Sequence, residues 1–208
     1  MNSKTIVDAW ERRVGPVTAH LVTDTHLRKE NLFASFEVVC SSVDFSDKTI
    51  IDYGCGGGFF GLYLSNKFIV KKYIAYDLAQ RSLDVAKKNL EFLPENMKEF
   101  IKVDPWNIPQ MHADIFCCFS VIHHMPTQTY LDYFLAMLDV SNIKVILLTC
   151  KYSAVESFQI HPYKTTKEIN NACLTNASEI ARRLRHFKLM RYTDAEPGKY
   201  QYMRFEHA

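Results

Sequence analysis

The stretch Ile50–Leu64, IIDYGCGGGFFGLYL, constrains the fold more than any other part of the chain. Thr49, Ile50 and Ile51 make a short apolar, β-branched run of the kind expected in a buried parallel strand. Asp52 ends that run, and Gly54, Gly56 and Gly58 follow it, so the chain turns where few side chains obstruct it. Glycine tolerates positive φ and lets a ligand approach the backbone. From Phe59 to Leu64 the sequence continues as an apolar helix, whose first amides point at whatever sits in the bend and favour an anionic group there. A strand that turns through glycines into a helix reads as a nucleotide-type cofactor site.

Spacing separates the two cofactor classes that use such a bend. A dinucleotide site needs G-x-G-x-x-G, and the place of its third glycine is taken here by Phe59. An acid two residues before the first glycine is also foreign to that pattern. The arrangement DYGCGGG at Asp52–Gly58 instead resembles the first motif of the class I S-adenosylmethionine-dependent methyltransferases. The resemblance implies that Gly54, Cys55, Gly56 and Gly58 line the methionine part of the cofactor and that Asp52 helps to hold its ammonium group.

Two further acids extend the match. The run YIAYD ends at Asp77, followed by Leu78 and a helical pattern with Leu83, Ala86, Leu90 and Leu93 on one stripe. A carboxylate about 20 residues beyond the bend is placed to accept hydrogen bonds from ribose hydroxyls. The run EFIKVD ends at Asp104, before Pro105 and Trp106. The family implies an adenine-amino contact for Asp104 and a wall against the ring from Trp106 and its neighbours. Parallel sheets bind ligands at the carboxyl ends of their strands, where all three acids are expected.

The remaining elements complete an α/β reading: a doubly wound, mostly parallel seven-stranded sheet with an N-terminal helical cap and a C-terminal antiparallel hairpin. Residues 1–46 read as the cap, with Leu32, Phe36 and Val39 at helical spacing, and 47–208 as the core. A fourth strand is expected over Asp114–Ile122, with Ser120 among the cofactor contacts. Thr127 caps a helix carrying Tyr130, Leu131, Phe134, Leu135 and Leu138, and Lys144–Cys150 forms a fifth strand. Asn176 and Glu179 form a capping-box start for a helix with Ile180, Leu184 and Phe187 on its buried side. Two late strands, near Lys188–Thr193 and Tyr200–Phe205, flank the turn EPGK.

At 208 residues and 48% hydrophobic content the chain suits one domain, 1–208. A net charge of +2 announces neither a nucleic-acid nor a membrane partner. Cys40, Cys55, Cys117, Cys118, Cys150 and Cys173 include no CxxC pair and read as reduced thiols. With neither an apolar leader nor a membrane-length apolar run, the expected location is the cytoplasm.

Transfer from a sulfonium depends mainly on positioning, and a hydroxyl acceptor also needs a base. SVIHHMP places His123 and His124 after the fourth strand as candidate catalytic residues. The segment lacks the N/D-P-P-Y/F motif of enzymes that methylate nucleic-acid amino groups, and DPWN at Asp104–Asn107 falls one unit too early. No acidic cluster with metal-ligand spacing is evident. Candidate acceptor contacts are Trp10, Arg12, Arg13, His20 and His26 in the cap, His124, and Tyr152, His161, Tyr163 and Lys164 in the substrate-side loop 151–175. The expected function is methyl transfer from S-adenosylmethionine, leaving S-adenosylhomocysteine, to a small-molecule acceptor, with oxygen favoured. An RNA or protein acceptor, reached through the N-terminal helices and the basic run RRLRHFK at Arg182–Lys188, is the first alternative, and a non-catalytic cofactor-binding subunit the second. Oligomeric state is open.

Overall fold

A computed structural model describes residues 3–11, 25–154, 159–160, 173–194 and 199–208, with the side chains of the second helix described from Leu32 onward. Seven strands form a mixed sheet, parallel in its first part and antiparallel towards the C-terminus. The chain forms two compact units, Asn2–Asp104 and Pro105–Ala208.

The first unit contains helix α1 (3–11), α2 (Thr25–Cys40), β1 (Thr49–Tyr53), α3 (Phe59–Ser65), β2 (Lys72–Asp77), α4 (Gln80–Asn89) and β3 (Lys98–Lys102). Its strands run parallel in the order β3-β2-β1. Ile50 pairs with Tyr73 and Asp52 with Ala75, so Ile50, Asp52, Tyr73, Ala75 and Asp77 share one face. Phe36 and Val39 bury the inner face of α2, as helical spacing predicts. Phe36 meets Phe60 at 5.1 Å and Tyr63 at 5.5 Å, and the Tyr63 hydroxyl donates to Glu37. The stripe expected to extend to Leu93 stops early: α4 ends at Asn89, capped by Leu90. Lys98 Nζ donates to the carbonyls of Leu90 and Glu91, which satisfies oxygens that the truncated helix leaves open.

The second unit contains β4 (His112–Cys118), α5 (Gln128–Asp139), β5 (Asn142–Lys151), β6 (Gln159–Ile160), β7 (Cys173–Leu174), α6 (Ala177–Ala181), β8 (Phe187–Tyr192) and β9 (Tyr200–His207). Its part of the main sheet runs β4-β5-β9-β8, with β4 and β5 parallel and β9 antiparallel to both β5 and β8. The terminal hairpin is therefore present. Thr127 caps α5 by accepting from Tyr130 N, and Asn176 caps α6 by accepting from Glu179 N. The Glu179 side chain pairs with Arg182 and Arg183, so the capping box is realised in only one direction.

Two sequence expectations differ here. The fourth strand ends at Cys118 and not at Ile122, because Ser120 adopts φ 60 and gives its N–H to Thr149 Oγ1 at 2.7 Å, which turns the chain out of the ladder. Ile122–His124 then forms a 3₁₀ turn. The last helix stops at Ala181, and Phe187, placed on that helix by its spacing, instead begins β8. Leu184 and Phe187 are buried as expected, but from a turn and a strand. Apolar spacing reports burial more faithfully than it reports where a helix ends.

Gly61 shows how tightly α3 sits on the sheet. A Cβ there would lie 2.8 Å from both Leu90 Cδ1 and Tyr73 Cζ. Gly61→Ala is expected to lose about 1–3 kcal/mol of stability through overpacking, measured by urea denaturation.

Candidate cofactor and catalytic residues

The glycine bend is built by backbone geometry. Gly54, Gly56 and Gly58 all have positive φ, at 76°, 52° and 75°. The Gly54 and Cys55 amides both donate to the Tyr76 carbonyl, tying the bend to β2. Gly56 N donates to Asp77 Oδ2 at 2.9 Å, and Ala79 N donates to Asp77 Oδ1 at 2.8 Å. The glycines then divide their work. A Cβ on Gly56 would meet nothing within 4 Å, so this position faces open space, whereas a Cβ on Gly58 would lie 3.1 Å from Ala86 Cβ. Gly56 leaves room for a ligand, and Gly58 lets α3 approach α4.

The acids beside the bend are electrostatically poised. Asp52 is 3% exposed and accepts from the Tyr73 hydroxyl at 2.5 Å. Burial pushes its carboxyl up to about 7; the Tyr73 bond opposes that rise and the negative Asp77 adds to it. Burial likewise pushes Asp77 up to about 6, against the Ala79 and Gly56 amides and the Ser82 hydroxyl. Burial and both acids drive the Cys55 thiol well above its ordinary value, so a thiolate nucleophile is disfavoured there. A cationic group in the space beside Gly56 would relieve the two carboxylates. The ammonium and sulfonium of S-adenosylmethionine fit that requirement.

Leu78 is half-buried beyond Asp77, and Asp104 is exposed and accepts from the Ser3 hydroxyl at 3.0 Å. Trp10 is half-buried on α1. In the second unit Pro105 is buried, and Trp106 packs on Tyr130 and Tyr133 at 5.3 and 5.7 Å. Ser120 is exposed at its turn. His123 is 2% exposed and His124 half-buried, with ring centroids 3.8 Å apart. Tyr200 stands edge-on to His123, its hydroxyl 3.4 Å from Nε2, and Tyr152 is half-buried in a bridge to Thr175. Arg12, Arg13, His20, His161, Tyr163 and Lys164, and the side chain of His26, lie outside the described residues. Among the described residues no three His, Cys, Asp or Glu are grouped to hold a metal.

Sequence reasoning missed Tyr73, Tyr200 and Glu11. Tyr73 had a signal, since its two-residue spacing from Ala75 and Asp77 puts it on the Asp77 face. Tyr200 and Glu11 had none, because their partners stand 77 and 69 positions away.

Residues 51–140 match a family model described as a methyltransferase domain. Over that stretch the chain is similar to a methyltransferase domain. Solved structures of similar fold hold S-adenosylhomocysteine or S-adenosylmethionine. Solved methyltransferases share the fold. The N-methyltransferase NodS from Bradyrhizobium japonicum WM9, in complex with S-adenosylhomocysteine, superposes with a TM-score of 0.69 at 12% identity, covering 100% of this chain and 99% of its own. Magnesium protoporphyrin IX methyltransferase from Synechocystis PCC 6803 gives 0.62 at 16% identity, covering 98% and 95%. Mitomycin 7-O-methyltransferase MmcR gives 0.63 at 15% identity, covering 85% of this chain and 54% of its own. At these identities the likeness is one of fold. No curated protein matches the chain in sequence. No helix among the described residues is long and apolar enough to cross a membrane.

Two expectations follow for cofactor binding. The folded-state value of Asp52 lies above the usual value of about 4 for an unfolded Asp. Its ionisation therefore costs the ligand-free chain stability as pH rises from about 4 through about 7, whereas an ammonium partner favours the ionised form. S-adenosylhomocysteine affinity should accordingly rise with pH between about 5 and 7, and Asp52→Asn should flatten that rise in calorimetric titrations. Asp77→Ala should weaken binding by about 1–3 kcal/mol in the same assay, since charged hydrogen bonds to the bend are lost.

Proposed function

We propose that the chain transfers the methyl group of S-adenosylmethionine to a small-molecule acceptor at a hydroxyl oxygen, with His124 receiving the acceptor's proton. The half-buried position of His124 carries this reading, because its ring remains reachable while resting on the buried His123. An imidazole exchanges a proton near neutral pH and suits the removal of a hydroxyl proton. Thr149 anchors the turn that bears both histidines, and Tyr200 steadies His123 from the side.

When bound, the cofactor supplies an electrophilic methyl group. In this reading Asp52 holds its ammonium, Gly54, Cys55, Gly56 and Gly58 border its methionine part, and Asp77 and Leu78 border its ribose. Asp104 takes the adenine amino group, with Pro105, Trp106 and Ser120 completing the adenine and methionine contacts. Trp10, Tyr152 and His161 are the proposed acceptor contacts, and the two compact units act as one methyltransferase domain in the cytoplasm.

Charge supports a small acceptor over RNA. In the run RRLRHFK, Arg182 pairs with Glu179, and Arg183 with Glu179 and Asp132. Those guanidiniums are engaged within the protein, which weakens the case for a phosphate-binding face. The names of the mitomycin and magnesium protoporphyrin IX enzymes point to small acceptors for proteins of this fold, and the NodS name to nitrogen as an alternative target.

A radiolabelled methyl-transfer screen of small phenols, carboxylates, alcohols and amines tests the proposal. It expects labelling at an oxygen, and His124→Ala should then retain S-adenosylhomocysteine affinity while losing about a hundredfold or more in kcat. Labelling of amines alone, or unchanged turnover in His124→Ala, contradicts it.

A further inference from the structure

The N-terminus of α4 is capped from a distant part of the chain. Its N-cap residue, Ala79, has no side chain to accept the first helical amides. Glu11 of α1 accepts them instead: Gln80 N donates to Oε1 at 2.7 Å and Arg81 N to Oε2 at 3.4 Å. Lys102 Nζ, at the end of β3, lies 3.3 Å from Oε1, and Arg81 Nη1 donates to the Glu11 carbonyl at 3.4 Å. Burial alone would raise the Glu11 carboxyl, but the two amides and Lys102 outweigh it and hold it below its ordinary value. At the other end of α1, Ser3 donates to Asp104. Ile6 and Ala9 are buried along the helix between these anchors.

Both anchors fall at the cofactor acids. Gln80 and Arg81 directly follow the Asp77–Ala79 turn that pins Gly56, and Asp104 follows β3. We infer that Glu11 is a positioning residue for the cofactor: by capping α4 it seats α1 across the carboxyl ends of β2 and β3 and sets how long the cofactor and its product stay bound. A carboxylate that accepts helix-terminal amides contributes more than an exposed ion pair, so this one side chain governs the seating. The inference rests on the cofactor assignment and is independent of which acceptor is used.

The test follows release of S-adenosylhomocysteine from the full chain by stopped flow, together with hydrogen exchange at the Gln80 and Arg81 amides. Glu11→Ala should release it about tenfold faster, the factor expected from losing a charge-assisted cap. Glu11→Gln should fall between, because its amide oxygen still accepts from Gln80 N but no longer carries charge for Lys102; it also carries the test if the alanine variant does not fold. Association should change less than release, and exchange at both amides should accelerate in the same order. Wild-type release in Glu11→Ala with faster exchange would make Glu11 a cap without a role in retention, and unchanged exchange would remove the cap itself; either overturns the inference. A wild-type chain that binds no S-adenosylhomocysteine would remove the cofactor assignment along with it.

Discussion

Asp77 accepts from two backbone amides, those of Gly56 and Ala79, and the rest of the first unit is arranged around that pair of hydrogen bonds. One oxygen fixes the glycine bend after β1, and the other fixes the turn into α4. The carboxylate thus joins two consecutive strand-to-helix units at the end of the sheet where parallel α/β folds bind ligands. Buried amides need acceptors, and a buried carboxylate needs donors, so each side of the arrangement stabilises the other. The same side chain that a sequence reading assigns to ribose is therefore also a structural tie.

Asp52 is handled differently. It has one hydroxyl donor in Tyr73 and a negative neighbour in Asp77. Burial without a full set of donors leaves the ionised form costly, which is why its carboxyl is raised to about 7. Such a group destabilises the protein near neutral pH unless a cation arrives, and the cost is recovered when one does. Tyr73 links this electrostatic demand to packing, since its ring also touches the place where a Gly61 side chain would stand. Helix packing and the Asp52 carboxyl thus share a side chain.

The glycine bend and the alternation of strands and helices were legible because they depend on local chemistry. Positive φ favours glycine, and β-branched runs extend. Element ends were less legible. Val121 and Ile122 carry strand-like side chains, yet Ser120 leaves the ladder because Thr149, distant in sequence, offers its amide an acceptor. Phe187 fits a helical stripe but belongs to β8. Glu11 and Tyr200 depend on tertiary contacts that no spacing announces, and the cap of α4 in particular looks absent in its own segment because Ala79 cannot supply it.

The central claim is that the bend at Gly54–Gly58, with Asp52 and Asp77, is a cradle for a cationic sulfonium cofactor and not for a dinucleotide. Parallel calorimetric titrations of the full chain with S-adenosylmethionine, S-adenosylhomocysteine and NAD test it most directly. The account predicts saturable one-to-one binding of the first two and none of the third. Binding of NAD alone, or of none of them, would contradict it.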